Sequence, residues 1–300
     1  MIDLAIIGAG PAGLTAAIYA ARAGLSFVIL DQDGCGGGQI SAAHEVENYP
    51  GLGRLSGTEL GSVFLSHAEM LGAQVCFAVV RGLEDHGEFK EILIEDKEPL
   101  QARAVIAATG AVPRSLGVPG EELTGVSCCA ICDGAFYKDK NVLVVGGGDT
   151  AVEDALYLSS ICRTVTVALR RDTFRAAKSR VDVLKETENV TILYYTRLTG
   201  IQGRGRVASV VLEGPNGQTE RPMDGVFIAV GVSPVSEWLN NLPLERSEEG
   251  YILAGEDCAT NIPGLFVAGD LRRKPLRQVV TTAADGANAV FSTTVWLKDF

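Results

Sequence analysis

The chain has 300 residues, 47% of them hydrophobic and 21% charged, which is typical of a globular protein with one or two cored domains. Its net charge of −11 argues against nucleic acid or an anionic membrane as a partner. The seven cysteines are an odd number in a long chain, so a secreted disulfide framework is not expected. A second CxxC and a histidine pair with ligand spacing are both missing, so no metal site is predicted.

The N-terminal segment predicts a strand–turn–helix–strand unit. An apolar strand at Leu4–Ile7 leads into the glycine turn Gly8–Gly13, and a helix then runs to about residue 23. A second strand, Phe27–Leu30, ends in Asp31. The glycines break an apolar stretch that would otherwise approach the length of a membrane span, and Asp3 occupies the place where a signal peptide is positive. We therefore predict neither a membrane span nor a signal peptide, and expect a cytoplasmic location.

The first turn has the G-x-G-x-x-G pattern of a dinucleotide site. Its first glycine permits the tight turn, the second lets the backbone approach a pyrophosphate, and the third lets helix and strand pack closely. Asp31 lies about 20 residues further on, where an acidic side chain binds ribose hydroxyls. The predicted binding residues of this turn are Gly8, Gly10, Pro11, Ala12 and Gly13.

A second unit of the same design begins at Asn141. A strand at Val142–Val145 precedes the turn Gly146–Ala151, a helix runs to about residue 160, and the strand Thr164–Leu169 follows. The turn is the G-x-G-x-x-A version of the motif. Arginine after the second strand suits the 2′-phosphate of NADP, whereas an acidic residue suits NAD. The predicted NADPH residues are Gly146, Gly148, Asp149, Thr150, Ala151, Arg170, Arg171 and Arg175.

Between the two nucleotide motifs lies Cys129-Ala-Ile-Cys132. Two cysteines at this spacing can close a small disulfide ring, and Asp133 could protonate a leaving thiolate or reduced flavin. In isolation the pair could also be buried cysteines or half a metal site, but its place between two nucleotide motifs favours redox chemistry.

The rest of the chain predicts short strands after each unit, the first of them at Phe77–Val80, a buried strand at Leu265–Ala268, and a helical tail from about Val279 to Leu297. Asp270, just after that strand, could accept hydrogen bonds from ribityl or ribose hydroxyls. The fold predicted is α/β, with two Rossmann-like, three-layer dinucleotide-binding domains, the second inserted in the first. We place the first domain at residues 1–114 and 249–300, and the second, with the CxxC, at residues 115–248.

With these residues placed, the chain closely resembles the low-molecular-weight, bacterial-type thioredoxin reductases over nearly its whole length. The segments that carry the resemblance occur in the family's order: GAGPAGLTAAIYAARA, GGQI, VENYPG, ATGAVPR, GVSCCAICDG, VVGGGDTAVEDALYLS, RRDTFRA and IPGLFVAGDLRRKPLRQVVTTAADGA.

The resemblance implies FAD in the first domain and NADPH in the second, with Cys129 and Cys132 as the redox pair, Asp133 as its acid and Cys132 nearer the flavin. It implies thioredoxin-disulfide reductase activity, a homodimer, and rotation of one domain relative to the other. The FAD residues that it adds to the glycine turn and Asp31 are Gln39, Asn48, Thr109, Gly110, Gly269, Asp270, Arg277, Gln278 and Val279.

Alternatives remain open at both ends of the electron path. The donor could be ferredoxin, although Arg170 and Arg171 would then have no role. The acceptor could be a peroxidase partner, a glutaredoxin-like protein or a small dithiol, because acceptor choice depends on exposed loops. Cys128, beside the redox pair, departs from the family pattern, and it could be inert or a site of off-pathway oxidation.

Overall fold

The computed structural model describes residues 1–43 and 45–298. Its strands, in chain order, are β1 Ile2–Ile7, β2 Phe27–Asp31, β3 Val75–Phe77, β4 Val80–Asp85, β5 Lys90–Ile94, β6 Leu100–Ala107, β7 Ala111–Pro113, β8 Val126–Ser127, β9 Asn141–Val145, β10 Thr164–Ala168, β11 Val190–Leu193, β12 Arg197–Gln202, β13 Ser209–Gly214, β14 Gly217–Pro222, β15 Gly225–Ile228, β16 Val232–Pro234 and β17 Leu265–Val267. Its helices are α1 Pro11–Arg22, α2 Gly57–Met70, α3 Ala130–Asp133, α4 Asp149–Ser159, α5 Lys178–Glu186 and α6 Val279–Lys298. Single 3₁₀ turns occur at Gly38–Ala42, Gly134–Tyr137, Glu237–Leu239 and Gly269–Leu271.

The chain divides into two compact units. The first unit comprises Met1–Val112 and Ser233–Phe300, and the second comprises Pro113–Val232. The two connecting segments contain β7 and β16, which pair with each other. Within the described residues, no helix is both long enough and apolar enough to cross a membrane.

The sheet of the first unit has the order β3-β2-β1-β6-β5-β4, and β17 also pairs with β6. Strand β6 divides one edge between two partners: residues 100–102 pair antiparallel with β5, and residues 105–107 pair parallel with β17. Because side chains alternate across a strand, β1 supplies both faces of the sheet. Leu4 and Ile6 pack with α1, α2 and α6, whereas Ala5 and Ile7 enter the core on the opposite face.

The second unit repeats this arrangement on a smaller scale. Its parallel sheet has the order β11-β10-β9-β15-β8, and a separate antiparallel sheet has the order β12-β13-β14. Val142 and Val144 pack on the helical side, while Leu143 and Val145 pack with residues of the antiparallel sheet. The predicted α/β fold class is confirmed: each unit contains a sheet with a parallel core, and the sheet of the first unit also includes the antiparallel strands β4 and β5.

The structure differs from the sequence prediction in two places. The strand predicted at Phe77–Val80 is interrupted at residues 78 and 79. The chain leaves its parallel pairing with β2 at Phe77 and turns there into the antiparallel β4–β5 hairpin. Residues 233–248, predicted as part of the second domain, belong to the first compact unit. The physical reason is burial: Trp238, Leu239 and Leu244 pack into the core of the first unit.

Candidate functional site

The first glycine turn lies where the order of the parallel sheet reverses. Strand β1 has β2 on one side and β6 on the other, and such a switch point is where α/β sheets bind ligands. Gly8 has φ +106°, and a Cβ there would lie 2.5 Å from the Ala108 carbonyl oxygen. A Cβ at Gly13 would lie 1.8 Å from the Gly8 carbonyl oxygen. Both positions therefore require glycine for close backbone packing.

The middle of this turn stays open. A Cβ at Gly10, which caps α1, would come only within 4.0 Å of one atom, and no side chain among the described residues caps the helix. Pro11 opens the helix, and Ala12 is buried in the core. This open, uncapped helix N-terminus is the geometry that accommodates a phosphate group.

The Asp31 carboxylate is already engaged by the backbone around this turn. It accepts hydrogen bonds from the N–H groups of Ala9 (2.8 Å), Asp33 (2.9 Å) and Gly34 (3.0 Å). Each carboxylate oxygen can accept more than one hydrogen bond, so ribose hydroxyls could still reach it. Asp31 thus fixes the shape of the turn in addition to any role toward a ligand.

Gly269 and Asp270 lie beside the start of α1. A Cβ at Gly269 would be 3.0 Å from the Cβ of Ala12, and the Asp270 carboxylate accepts a hydrogen bond from Thr282 on α6 (2.9 Å). Helix α6 itself packs closely on α1, because Gly286 leaves room for the Ala12 carbonyl. The fold therefore brings two motifs together that are some 260 residues apart in the sequence.

A buried ionic network supports Asp270. The Asp285 side chain is 4% exposed and lies 2.7 Å from Arg272 Nη2 and 3.1 Å from Lys274 Nζ. It also accepts the Gly269 N–H at 3.0 Å. Lys274 lies 3.5 Å from Asp270, so the buried charges extend from α6 to the predicted ribityl-binding side chain.

Two more predicted FAD residues contact each other: the Asn48 side-chain amide donates to Gln278 Oε1 at 3.0 Å. The Thr109 hydroxyl donates to the Val235 carbonyl at 2.5 Å, just beyond the end of β6. Arg277 instead stacks over the Tyr251 ring, 4.1 Å from its centroid. The other predicted FAD residues are Gln39, exposed on a 3₁₀ turn, Gly110, with φ +69°, and Val279, the first residue of α6.

The second glycine turn has the same geometry in the second unit. A Cβ at Gly146 would lie 2.3 Å from the Ala229 carbonyl oxygen and 2.9 Å from the Cβ of Ala151. A Cβ at Gly148, which caps α4, would have no atom of the described residues within 4 Å, and none of their side chains caps the helix. Thr150 is exposed in the first turn of α4. This turn therefore also leaves an open helix N-terminus suited to a phosphate.

The arginine segment is held against this turn by two hydrogen bonds. The Arg175 N–H donates to the Gly147 carbonyl at 2.7 Å, and the Ala177 N–H donates to the Asp149 carboxylate at 3.0 Å. Arg170, Arg171 and Arg175 are exposed. The predicted NADPH residues thus surround one turn, with three cations available to an anionic group.

The predicted redox cysteines form a disulfide in the second unit. Cys129 and Cys132 are joined by an S–S bond, and the Cys132 N–H points to the Cys129 sulfur at 3.2 Å. Asp133 ends the short helix α3 that carries the pair. Ala130 of this helix lies in the same buried cluster as the apolar face of α4, and a Cβ at Gly134, the next residue after the helix, would lie 2.9 Å from the Tyr157 ring. The redox pair and the nucleotide turn therefore share α4 as a support.

Burial and nearby carboxylates raise the pKa values of three groups on or near the helices that carry the disulfide and the second glycine turn. Desolvation, and then the charge of Asp133, raises the pKa of the free Cys128 thiol, so its thiolate is scarce at neutral pH. Burial and the same charge raise the pKa of Tyr137. Burial on α4, with a smaller contribution from the charge of Glu153, raises the pKa of Asp154 to about 7.

Sequence reasoning missed Ser127 and Asp154. Ser127 donates to the Asp133 carboxylate at 2.5 Å and accepts the Cys129 N–H at 3.0 Å. A serine two residues before a helix cap is a signal for such local hydrogen bonding. Asp154 gives no sequence signal, because helical periodicity does not show which neighbours surround a polar residue.

Together, the two switch-point turns and the disulfide define a protein that binds two dinucleotides and exchanges electrons with a dithiol. Comparison with known proteins agrees. The chain belongs to the pyridine nucleotide-disulphide oxidoreductase family, whose sequence model matches residues 2–287. It is therefore an oxidoreductase that uses a flavin and a pyridine nucleotide, and the open glycine turns fit both groups.

Individual relatives show a more specific similarity, to bacterial thioredoxin reductases. The chain is 42% identical to thioredoxin reductase of Listeria monocytogenes over 293 residues, covering 96% of this chain and 91% of the relative. It is 41% identical to thioredoxin reductase of Bacillus subtilis over 303 residues, covering 99% and 95%. The crystal structure of thioredoxin reductase from Streptococcus pyogenes superposes with a TM-score of 0.95 at 42% identity, covering 100% and 99% of the two chains. These matches confirm the predicted resemblance.

Proposed function

We propose that this chain is an NADPH-dependent thioredoxin reductase that holds FAD in its first unit and NADPH in its second. The observation that carries the proposal is the Cys129–Cys132 disulfide on a helix packed against α4, whose N-terminus forms the nucleotide turn. When bound, reduced nicotinamide supplies a hydride and flavin relays its electron pair to the disulfide.

The chain's own residues would then carry out the rest. Two electrons and two protons convert the Cys129–Cys132 disulfide to two thiols, with Asp133 supplying a proton. One thiolate attacks the disulfide of the partner and forms a mixed disulfide. The second thiolate then attacks the enzyme sulfur of that bond, and the partner's sulfur leaves as a thiolate. The partner leaves as a dithiol and the Cys129–Cys132 disulfide is restored.

Arg170, Arg171 and Arg175 support NADPH over NADH, because a guanidinium pairs well with a 2′-phosphate. A ferredoxin donor is not favoured, since it would leave these arginines and the intact second glycine turn without a role. The choice of acceptor rests on the curated relatives, which are thioredoxin reductases.

An anaerobic titration of the flavin-loaded protein tests the donor. We expect NADPH to bleach the flavin at far lower concentration than NADH. Equal bleaching by the two nucleotides would contradict the arginine assignment, and no bleaching by either would contradict the proposed function.

Cysteine variants test the acceptor step. Cys129→Ser and Cys132→Ser should each abolish NADPH-dependent reduction of thioredoxin while flavin bleaching persists. Cys128→Ser is the matched control, because Cys128 is a neighbouring thiol outside the disulfide. The mechanism would be refuted if both pair variants kept full turnover.

We further propose a cytoplasmic homodimer. The helices of the first unit leave large apolar side chains exposed, among them Tyr19 (48%), Val63 (44%), Val280 (42%) and Phe291 (72%). Exposed apolar patches of this kind often mark interfaces. Light scattering after size exclusion tests the dimer, and a monomeric mass at micromolar concentration would contradict it.

A further inference from the structure

The hydroxyl of Ser127 lies between the predicted proton donor and the redox pair. It is 2.5 Å from Asp133 Oδ2 and 3.0 Å from the backbone nitrogen of Cys129. A third contact, to the Cys129 carbonyl, is longer at 3.4 Å. Because a hydroxyl has one proton, the short contact identifies the carboxylate as its acceptor, and the Cys129 N–H then donates to the hydroxyl oxygen.

Ser127 can hold this geometry because it belongs to the sheet. It is the last residue of β8 and pairs with Phe227 of β15 in parallel register. Asp133 and the cysteines lie on or beside the short helix α3, which has only four residues. The hydroxyl therefore links the single-turn helix that carries Asp133 to a fixed strand end.

We propose that Ser127 is a positioning residue for disulfide reduction, which orients the Asp133 carboxyl group toward the Cys129–Cys132 pair. This inference rests on the proposed function, since it assigns a helper to the proton donor. It adds a residue that acts through Asp133 and belongs to neither glycine turn.

Other titratable groups around Asp133 determine what a pH profile will show. Cys128 precedes α3, Tyr137 follows it, and both respond to the charge of Asp133. From α4, Asp154 faces Cys128 with Glu153 beside it. The charges of Arg206, Asp224 and Cys162 also affect the pKa of Tyr137. Removing the hydroxyl takes a hydrogen-bond donor from the ionised carboxylate, so the pH profile of the variant should shift to higher pH.

The test uses the flavin-loaded protein and two separate readouts from pH 5 to 9. Flavin bleaching by NADPH follows the first step, and rapid alkylation with mass spectrometry follows the appearance of the Cys129 and Cys132 thiols. Reduction with dithionite is run in parallel. If NADPH fails to bleach the flavin, the proposed function is contradicted, while the thiol readout still tests Ser127.

For Ser127→Ala we expect unchanged bleaching, thiol formation slowed about tenfold, and the limb of the pH profile that depends on Asp133 moved to higher pH. Ser127→Thr keeps the hydroxyl and should restore the limb. Asp133→Asn should remove the limb, and adding Ser127→Ala to it should change nothing further. Ser160→Ala, an exposed serine whose hydroxyl donates to the Tyr157 carbonyl, is the matched control and should behave as the parent protein.

Two outcomes would overturn the inference. One is a pH profile of thiol formation in Ser127→Ala whose limb lies at the same pH as in the parent protein. The other is an equal slowing of thiol formation with and without Asp133, which would show that Ser127 supports α3 without acting through the carboxylate.

Discussion

Asp154 gives a quantitative prediction about stability and pH. Its carboxyl lies on α4 facing the redox helix, and burial raises its pKa from 3.8 to about 7, with a smaller contribution from Glu153. A folded-state pKa above the unfolded value means that ionisation opposes folding. Replacing Asp154 with Asn keeps the shape of the side chain and removes the titration.

The pH window follows from these two pKa values. Below pH 3.8 the carboxyl is protonated in both states, so Asp154 behaves much like the amide. Between that pH and about 7 only the unfolded chain loses the proton, so the stability of the parent protein falls as pH rises. Above pH 7 the whole penalty is present.

The size of the effect has an upper limit. Each pH unit between the two pKa values corresponds to about 1.4 kcal/mol, which gives at most about 4 kcal/mol. The side chain is only partly buried, and screening by solvent reduces this figure. We therefore expect Asp154→Asn to stabilise the protein by about 1–3 kcal/mol at pH 8, and by less than half as much at pH 5.

Urea denaturation at both pH values measures this difference. Far-ultraviolet circular dichroism is the suitable signal, because both tryptophans, Trp238 and Trp296, belong to the first unit. Asp182→Asn, the same chemical change at an exposed position of α5, is the control and should have little effect at either pH. A gain that is equal at pH 5 and pH 8, or no gain at pH 8, would refute the reasoning.

Three further predictions concern the two units separately. Gly286→Ala should destabilise the first unit by about 1–3 kcal/mol in thermal unfolding, because its Cβ would lie 2.2 Å from the Ala12 carbonyl oxygen; a parent-like melting temperature would contradict the packing. Asp285→Asn should lower the free energy of unfolding by about 3–5 kcal/mol, because it leaves Arg272 as a buried charge without its anion. It should also speed the release of FAD, which flavin fluorescence follows; unchanged stability would show that the network is dispensable. Arg171→Ala should raise the KM for NADPH about tenfold and leave that for NADH unchanged, and an equal rise for both nucleotides would rule out recognition of the 2′-phosphate.

Much of the fold follows from local pattern. The strands before each glycine turn and the helices after them were predicted within a few residues, because apolar runs and glycine spacing are local properties of the sequence. Helix α2 was not predicted, although Ser56 and Glu59 form a capping box at its start. Strand β14 was also missed: its residues are mostly exposed, and pairing with β13 determines its conformation.

For the site, the sequence by itself predicted which residues carry the chemistry: the two glycine turns, the arginine cluster and the Cys129–Cys132 pair. These signals depend on spacing along a few residues of backbone, so they can be read without the fold. Only the tertiary structure decided that Ser127 bonds to Asp133, that Asp154 is partly buried with a raised pKa, and that Asp285 supports Asp270. Those contacts depend on which helix face meets which strand end, and such neighbours are fixed by packing of the whole unit rather than by spacing in the chain.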